Sequence, residues 1–383
     1  MSNKVFLTDF GSFLPNAPVE NDRIEDVLGM VVGRKSRARR IVLRNNGITS
    51  RHYAIDPTSG KFTHTNAGMT AEAVRALVAR SGIRLDDIDC LCCGTSSPDQ
   101  ILPAHGTMVQ GELAMAPREV VTTSAVCLSG LTALKYAYLG IAAGLSRMAV
   151  ATGSEFASSV MKASTFWCDE GDGADELEQR PSLAFEKDFL RWMLSDGAGA
   201  ALLASTPNPA GLSLAVDWIE TRSYAGRLPV CMYAGAVKRD DGSLEGMRAV
   251  DQPARIVSEH FLAVKQDARL LDEHIVPVST EVLLDVAGKR GLAPDDVTWF
   301  LPHLSSEYFR PRLHAAFAAA GFPIPFARWF TNLPVKGNVG SAAIYLILEE
   351  LFYSGKLKRG DRLLCGVPES ARFSVGYMLL TVV

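Results

Sequence analysis

Val74 to Ser97 reads VRALVARSGIRLDDIDCLCCGTSS, and Val282 to Ser306 reads VLLDVAGKRGLAPDDVTWFLPHLSS. Each runs as a helix, a glycine turn, a pair of aspartates, an apolar strand and a polar loop. Asp86 and Asp295 lie 209 positions apart (295 − 86), as do Ser97 and Ser306 (306 − 97). A supersecondary unit that returns at a constant offset indicates a duplicated architecture.

The repetition extends outward. VCLSGLTALKYAYLGIAAGLSRMAVATGSE ends at Glu155, and NVGSAAIYLILEELFYSGKLKRGDRLLCGVPE ends at Glu369. Each opens on a glycine-containing polar turn, continues as a long apolar helix, stops at glycine and returns as a strand. Cys127 and Asn338 open the two units at nearly the same offset (338 − 127 = 211). The strands are apolar throughout instead of alternating, which suits sheets covered by helices on both faces. We therefore expect a layered α/β fold of two halves, residues 1–206 and 207–383, whose strand ends meet at one shared site.

Bulk composition sets the outer limits. The 383 residues are 48% hydrophobic and 21% charged, with a formal net charge of −3, so a general nucleic-acid partner is not expected. No run of about 18 apolar residues is present, and the first apolar stretch contains Asp9, so neither a membrane span nor a signal peptide is expected. Seven cysteines, an odd number, point to reduced thiols and a cytoplasmic setting. Cys90, Cys92 and Cys93 read as strand packing, because no second Cys or His pair stands at zinc-site spacing, and no metal is expected.

Chemistry concentrates where strands hand over to loops and helices. Cys127 follows the strand EVVTTSAV and precedes a helix opening near Leu128. A thiol at a helix N-terminus meets the positive end of the dipole and free N–H groups, which favour thiolate and support acyl transfer. A buried structural cysteine is the alternative for such a residue taken alone. His303 stands at the exit of the strand VTWFLP, where α/β proteins build sites, although loop carbonyls also satisfy such histidines. Asn338 lies in VKGNVGSA, a turn into a helix, where it serves either the crevice or an ordinary helix cap.

SAVCLSG, LPHLSS and KGNVGSA, in that order, resemble the Cys-His-Asn site of the type III ketoacyl-carrier-protein synthases. LSDGAGAALL (Leu194 to Leu203) and NNGITSRHY (Asn45 to Tyr53) are similar to stretches of the same family. The resemblance implies a five-layered αβαβα thiolase fold and a homodimer, with no cofactor beyond acyl-carrier-protein or coenzyme A thioester substrates. It implies an acyl group on Cys127, with His303 and Asn338 holding the carbonyl of a second, malonyl or 3-ketoacyl, thioester for a Claisen-type condensation. Passage of the acyl group to an alcohol or amine is the competing enzymatic reading.

The chain departs from the family pattern in places that bear on substrate. Ile41 stands where coenzyme A-primed relatives often place a stacking tryptophan, beside a basic run of Arg34, Lys35, Arg37, Arg39, Arg40 and Arg44. The run is a solvated face or a contact for a phosphopantetheine phosphate or an acidic carrier protein. Arg37, Arg39, Arg40 and Leu102 are the substrate-binding candidates. VPESARFSVGY replaces a glycine-rich turn, leaving Ala371 to supply an oxyanion-hole N–H, with strain there if its φ must be positive. The segment 168–180 is unusually acidic and reads as a surface excursion. Variants such as VPESARF resemble the dialkylresorcinol-type ketosynthase-cyclases, which close a ring after condensation. Glu155 and Glu369, each ending a strand, are candidates for the extra proton transfer.

Overall fold

The paired aspartates become matching turns. In each repeat the second one closes a 3-10 turn: the Arg84 N–H donates to Asp87 at 2.8 Å, and the Ala293 N–H donates to Asp296 at 2.8 Å. The helices before them end on glycines in the left-handed region, Gly82 (φ 71°) and Gly291 (φ 64°), where a Cβ would be strained. The computed structural model describes residues 3–33, 35–36, 39–166 and 189–383. Arg37 and the acidic segment 168–180 lie outside them.

The first half contributes strands β1 (Phe6–Phe13), β2 (Cys90–Thr95), β3 (Glu119–Ser124), β4 (Met148–Glu155) and β5 (Gly197–Ala204). The second contributes β6 (Leu214–Ser223), β7 (Trp299–Pro302), β8 (Arg362–Glu369) and β9 (Ser374–Val382). They pair in the order β7-β8-β9-β6-β1-β5-β4-β2-β3. Within the sheet β1 of the first half pairs with β6 of the second at Phe6 with Ala215 and Leu7 with Leu214. In the first half β2 is parallel to β3 and β4, and β5 turns antiparallel. In the second β7 is parallel to β8, and β9 turns antiparallel. The counterpart of β3 is reduced to an isolated parallel bridge between Phe300 and Trp329.

Helices α1 (Asn66–Ser81), α2 (His105–Glu112) and α3 (Leu128–Ala142) belong to the first half. Helices α4 (Ala268–Arg290), α5 (Arg310–Ala319) and α6 (Ala343–Tyr353) repeat them in the second. Side chains along the central strands alternate between two cores, as a sheet covered on both faces requires. Cys90 and Cys92 enter a central core with α3 and α6, while Leu91 and Cys93 enter an outer core with α1. Leu363 and Cys365 likewise face the central core, and Leu364 faces the outer core under α4 and α5. The layers run helix, sheet, helix, sheet, helix, as in the thiolase fold.

The central layer sets the closest tolerance. A Cβ on Gly130 of α3, or on Gly153 of β4, would overlap the Ser341 carbonyl oxygen. The Tyr345 hydroxyl crosses to donate to the Gly130 carbonyl at 2.8 Å. Backbone thus meets backbone where the two central helices begin, a contact with no slack for a methyl group. Gly130→Ala is expected to overpack this crossing and to destabilise the protein by about 1–3 kcal/mol. An unchanged denaturant midpoint would contradict the packing described.

Candidate active site

Two strand ends, Glu155 and Glu369, reach the crossing of the central helices. Cys127 is the residue from which α3 starts, and it is 8% exposed. The N–H groups on either side of it, those of Val126 and Leu128, both donate to Glu369 Oε2, at 2.9 and 3.2 Å. Among the described residues the N–H of Cys127 itself meets only its own sulfur. Burial pushes the thiol well above its ordinary range, and the charges of Glu369 and Glu155 push it further. This corrects the expectation of a thiolate favoured by the helix dipole. The helix terminus is already occupied by a carboxylate, so its positive end is countered where the sulfur sits.

Asn338 follows Gly337, which takes φ 72°. Its N–H donates to the Met193 carbonyl at 3.0 Å and its carbonyl accepts from the Ser195 N–H at 2.9 Å, pinning it to the strand entry of β5. The side chain combines the two roles left open by the sequence. Oδ1 accepts from the Gly340 N–H at 3.0 Å, as a cap does, and this leaves Nδ2 without a partner among the described residues.

His303 leaves β7 beside β8, its N–H donating to the Gly366 carbonyl at 2.8 Å. The ring is buried, and its Nε2 has no hydrogen-bond partner. Burial pulls its pKa down to about 4, so the imidazole is neutral at neutral pH. A neutral ring with a vacant nitrogen offers a hydrogen bond to a ligand oxygen without adding a charge.

The two glutamates at the strand ends are exchanged between the halves. Glu369, from the second half, holds the turn that carries Cys127. Glu155, from the first, accepts from the Ser341 N–H at 3.2 Å in the turn that follows Asn338. Glu155 is also held by the hydroxyls of Ser96 and Ser97, at 2.6 and 2.7 Å. Burial raises both carboxyls above the usual carboxylate range. Gly340, at φ 48°, lies against the Glu155 side chain where a Cβ would come within 2.8 Å of Cγ.

The other candidates have other surroundings. Ala371 accepts at its carbonyl from the N–H groups of Cys231 and Met232, at 2.9 and 3.2 Å. The left-handed residue of that turn is Phe373 (φ 55°), not Ala371, so the strain anticipated at Ala371 falls on a buried aromatic packed edge-on against His274. Arg39 pairs with the buried Glu25 at 2.7 Å, donates to the Asn21 carbonyl and lies over Trp192. It is therefore a structural ion pair and not a free cation. Arg40 and Leu102 are exposed, Leu102 at 80%. Among the described residues no group of His, Cys, Asp and Glu is placed to hold a metal ion.

Sequence reading set His303 apart from every other histidine, but His105 is equally buried. Its Nε2 lies 3.2 Å from Ser154 Oγ and 3.4 Å from Thr70 Oγ1, and burial pulls its pKa to about 4 as well. The GTSS loop of the first repeat, the counterpart of the loop after His303, was the visible signal for the serines that hold Glu155.

Residues 49–171 match the thiolase N-terminal domain, and residues 288–378 match the 3-oxoacyl-[acyl-carrier-protein (ACP)] synthase III C-terminal domain. The chain is similar to the ketoacyl-carrier-protein synthase III proteins over nearly its whole length. The beta-ketoacyl-[acyl-carrier-protein] synthase III of Cereibacter sphaeroides is 26% identical over 365 residues, covering 95% of this chain and 94% of its own. That of Clostridium perfringens is 23% identical, covering 93% of this chain and 92% of its own. Among solved structures, AbyA1, a tetronic acid condensing enzyme, superposes with a TM-score of 0.72 at 21% identity, covering 98% of this chain and 99% of its own. Xanthomonas campestris OleA, solved with lauric acid and lauroyl-CoA, gives 0.73 at 16% identity, with 100% of both chains covered. The likeness to the solved structures establishes the fold of this synthase III relative.

The state of His303 is open to direct measurement. Nitrogen-15 spectra of ring-labelled protein are expected to show a neutral imidazole for His303 from pH 8 down to about pH 5. A midpoint between pH 6 and 7 would show that the ring is solvated and not buried as described.

Proposed function

We propose that the protein is a condensing enzyme that takes an acyl group onto Cys127 as a thioester and joins it to a second acyl thioester. The observation that carries this reading is His303 Nε2, buried without a hydrogen-bond partner, together with an Asn338 amide engaged only through Oδ1, in a chain that carries Cys127 at the start of a central helix. Attack by the Cys127 sulfur on a donor thioester turns its carbonyl oxygen into an oxyanion, for which the Cys127 N–H is a donor; collapse expels the carrier thiol, which takes up the proton that Cys127 loses. Carbon–carbon bond formation then needs a carbanion on the second thioester, formed by loss of CO2 from a malonyl unit or of a proton from a 3-ketoacyl unit, and its attack on the acyl carbon releases the Cys127 sulfur. That carbanion is stabilised as an enolate when fixed donors meet its oxygen, a task suited to a neutral imidazole and a primary amide. Because both groups are already fixed by backbone contacts, little reorganisation is required at the moment of reaction.

This division of labour separates condensation from transfer to an alcohol or amine, which needs no enolate. Cys127→Ala is expected to abolish the acyl-enzyme mass shift. Asn338→Ala is expected to keep acyl uptake while condensation falls by roughly 10²–10³, the usual loss for one oxyanion donor. Near-parental condensation by the Asn338 variant would remove the enolate role. Product mass spectra showing esters or amides, with no new carbon–carbon bond, would favour the acyltransferase reading. A cyclised product would extend the proposal to ring closure.

Acyl-carrier-protein thioesters are the proposed substrates, supported by the synthase III relatives and by the exposed Ile41 in place of a stacking ring. A homodimer is proposed as well. The outer strand β3 is unpaired on one edge and partly exposed, and Tyr136 and Leu139 stand exposed on the neighbouring α3. Apolar groups beside a free strand edge are a template for pairing with a second copy. Light scattering at micromolar concentration is expected to give twice the chain mass, and a stable monomer would refute the dimer. A cytoplasmic setting is proposed from the free cysteines; no helix among the described residues is long and apolar enough to cross a membrane.

A further inference from the structure

Glu369 ends β8, and it makes contacts that the condensation chemistry above does not use. Oε2 accepts the N–H groups of Val126 and Leu128 across 243 and 241 positions of sequence, bracketing Cys127 from the opposite half. Oε1 accepts from no described residue. Glu155, its counterpart, is instead saturated by Ser96, Ser97 and Ser341. The two carboxylates therefore differ in kind: Glu155 is closed within a hydrogen-bond network, and Glu369 is tied only to the nucleophile's own peptide groups.

We propose that Glu369 is a positioning residue for Cys127, holding the turn that presents the sulfur and keeping the resting nucleophile as a neutral thiol. The inference rests on the reading of Cys127 as the acylated residue. Two effects follow from the one side chain. Its hydrogen bonds fix the turn, and they require only an acceptor oxygen. Its charge opposes thiolate formation, and that requires ionisation. The titratable groups facing the sulfur are Glu369 at the end of β8 and Glu155 at the end of β4. His303, beside β8, is neutral, and Lys135, further along α3, is engaged with Thr221 Oγ1 at 3.3 Å. A negative charge near a thiol raises its pKa, so removing the charge of Glu369 moves the thiol downward.

The test separates the two effects with the full-length protein. Iodoacetamide alkylation of Cys127 is followed against pH by peptide mass spectrometry, and acyl uptake from a carrier-protein thioester is followed by intact mass. Glu369→Gln keeps an acceptor oxygen and loses the charge. Its alkylation midpoint is expected about one pH unit below the parent's, with alkylation at pH 7 roughly tenfold faster and acyl uptake retained within about threefold. Glu369→Asp keeps the charge and is expected to keep the parent midpoint, so a poorly folded Gln variant does not decide the matter. Glu369→Ala loses both properties and is expected to shift the midpoint and to lose at least about tenfold in acyl uptake. An unchanged midpoint in folded Gln and Ala variants overturns the electrostatic role. Equal acyl uptake by the Ala and Gln variants overturns the positioning role. Absence of acylation on Cys127 in the parent protein would instead refute the proposed function, and the alkylation comparison would still be readable.

Discussion

Everything in the molecule is arranged around two helices that begin in contact. Gly130 and Gly153 bring backbone against the Ser341 carbonyl with no room for a side chain, and the Tyr345 hydroxyl ties the crossing to the Gly130 carbonyl. Close approach of this kind fixes the distance between the residues that open the helices, Cys127 on one side and Asn338 on the other. Each sheet then packs its inner face on the pair, and the outer helices cover what remains. Side chains elsewhere in the core can exchange volume with their neighbours; here main chain meets main chain, and the geometry has one solution.

The same crossing explains the electrostatics of the site. Two helix N-termini converge in a region without bulk water, and each leaves N–H groups that must find acceptors. Glu155 and Glu369 supply them, each reaching from the opposite half. Carboxylates so placed carry a desolvation cost, seen in their raised pKa values. The thiol between them is raised in turn. A site built in this way starts from neutral Cys127 and neutral His303, and charge develops as the reaction proceeds. In a low-dielectric setting that favours groups already aimed at the developing charge over groups that carry a charge at rest.

The fold was legible in the sequence because duplication is a statement about spacing. The shared offset linking Asp86 to Asp295 links Gly82 to Gly291 as well (291 − 82 = 209), and the structure gives both glycines the same left-handed turn. The continuous apolar character of β2 and β8 correctly indicated sheets covered on both faces. What escaped the sequence was long-range and side-chain specific. A residue more than 240 positions away holds the peptide groups around Cys127, and no local pattern records that, so the helix dipole was assigned to the thiol unopposed. The backbone strain was placed at Ala371 because glycine substitution marks a turn without marking which residue takes positive φ. In sequence alone Arg39 reads as part of a basic run that is either a solvated face or a substrate contact, because its partner, Glu25, is defined only once the chain has folded.

The two ends of the sheet are unequal. At one end β3 presents a full strand with an open edge. At the other, the equivalent strand has dwindled to the Phe300–Trp329 bridge, packed among Phe317, Phe326 and His314. A ribbon with two open ends can lengthen without limit, since each added copy exposes a fresh edge. With one end sealed by an aromatic plug, a single edge-to-edge union uses up the growth sites on both copies. The degenerate strand thus leaves β3 as the longer open edge of the sheet, which favours pairing through one edge over growth from both.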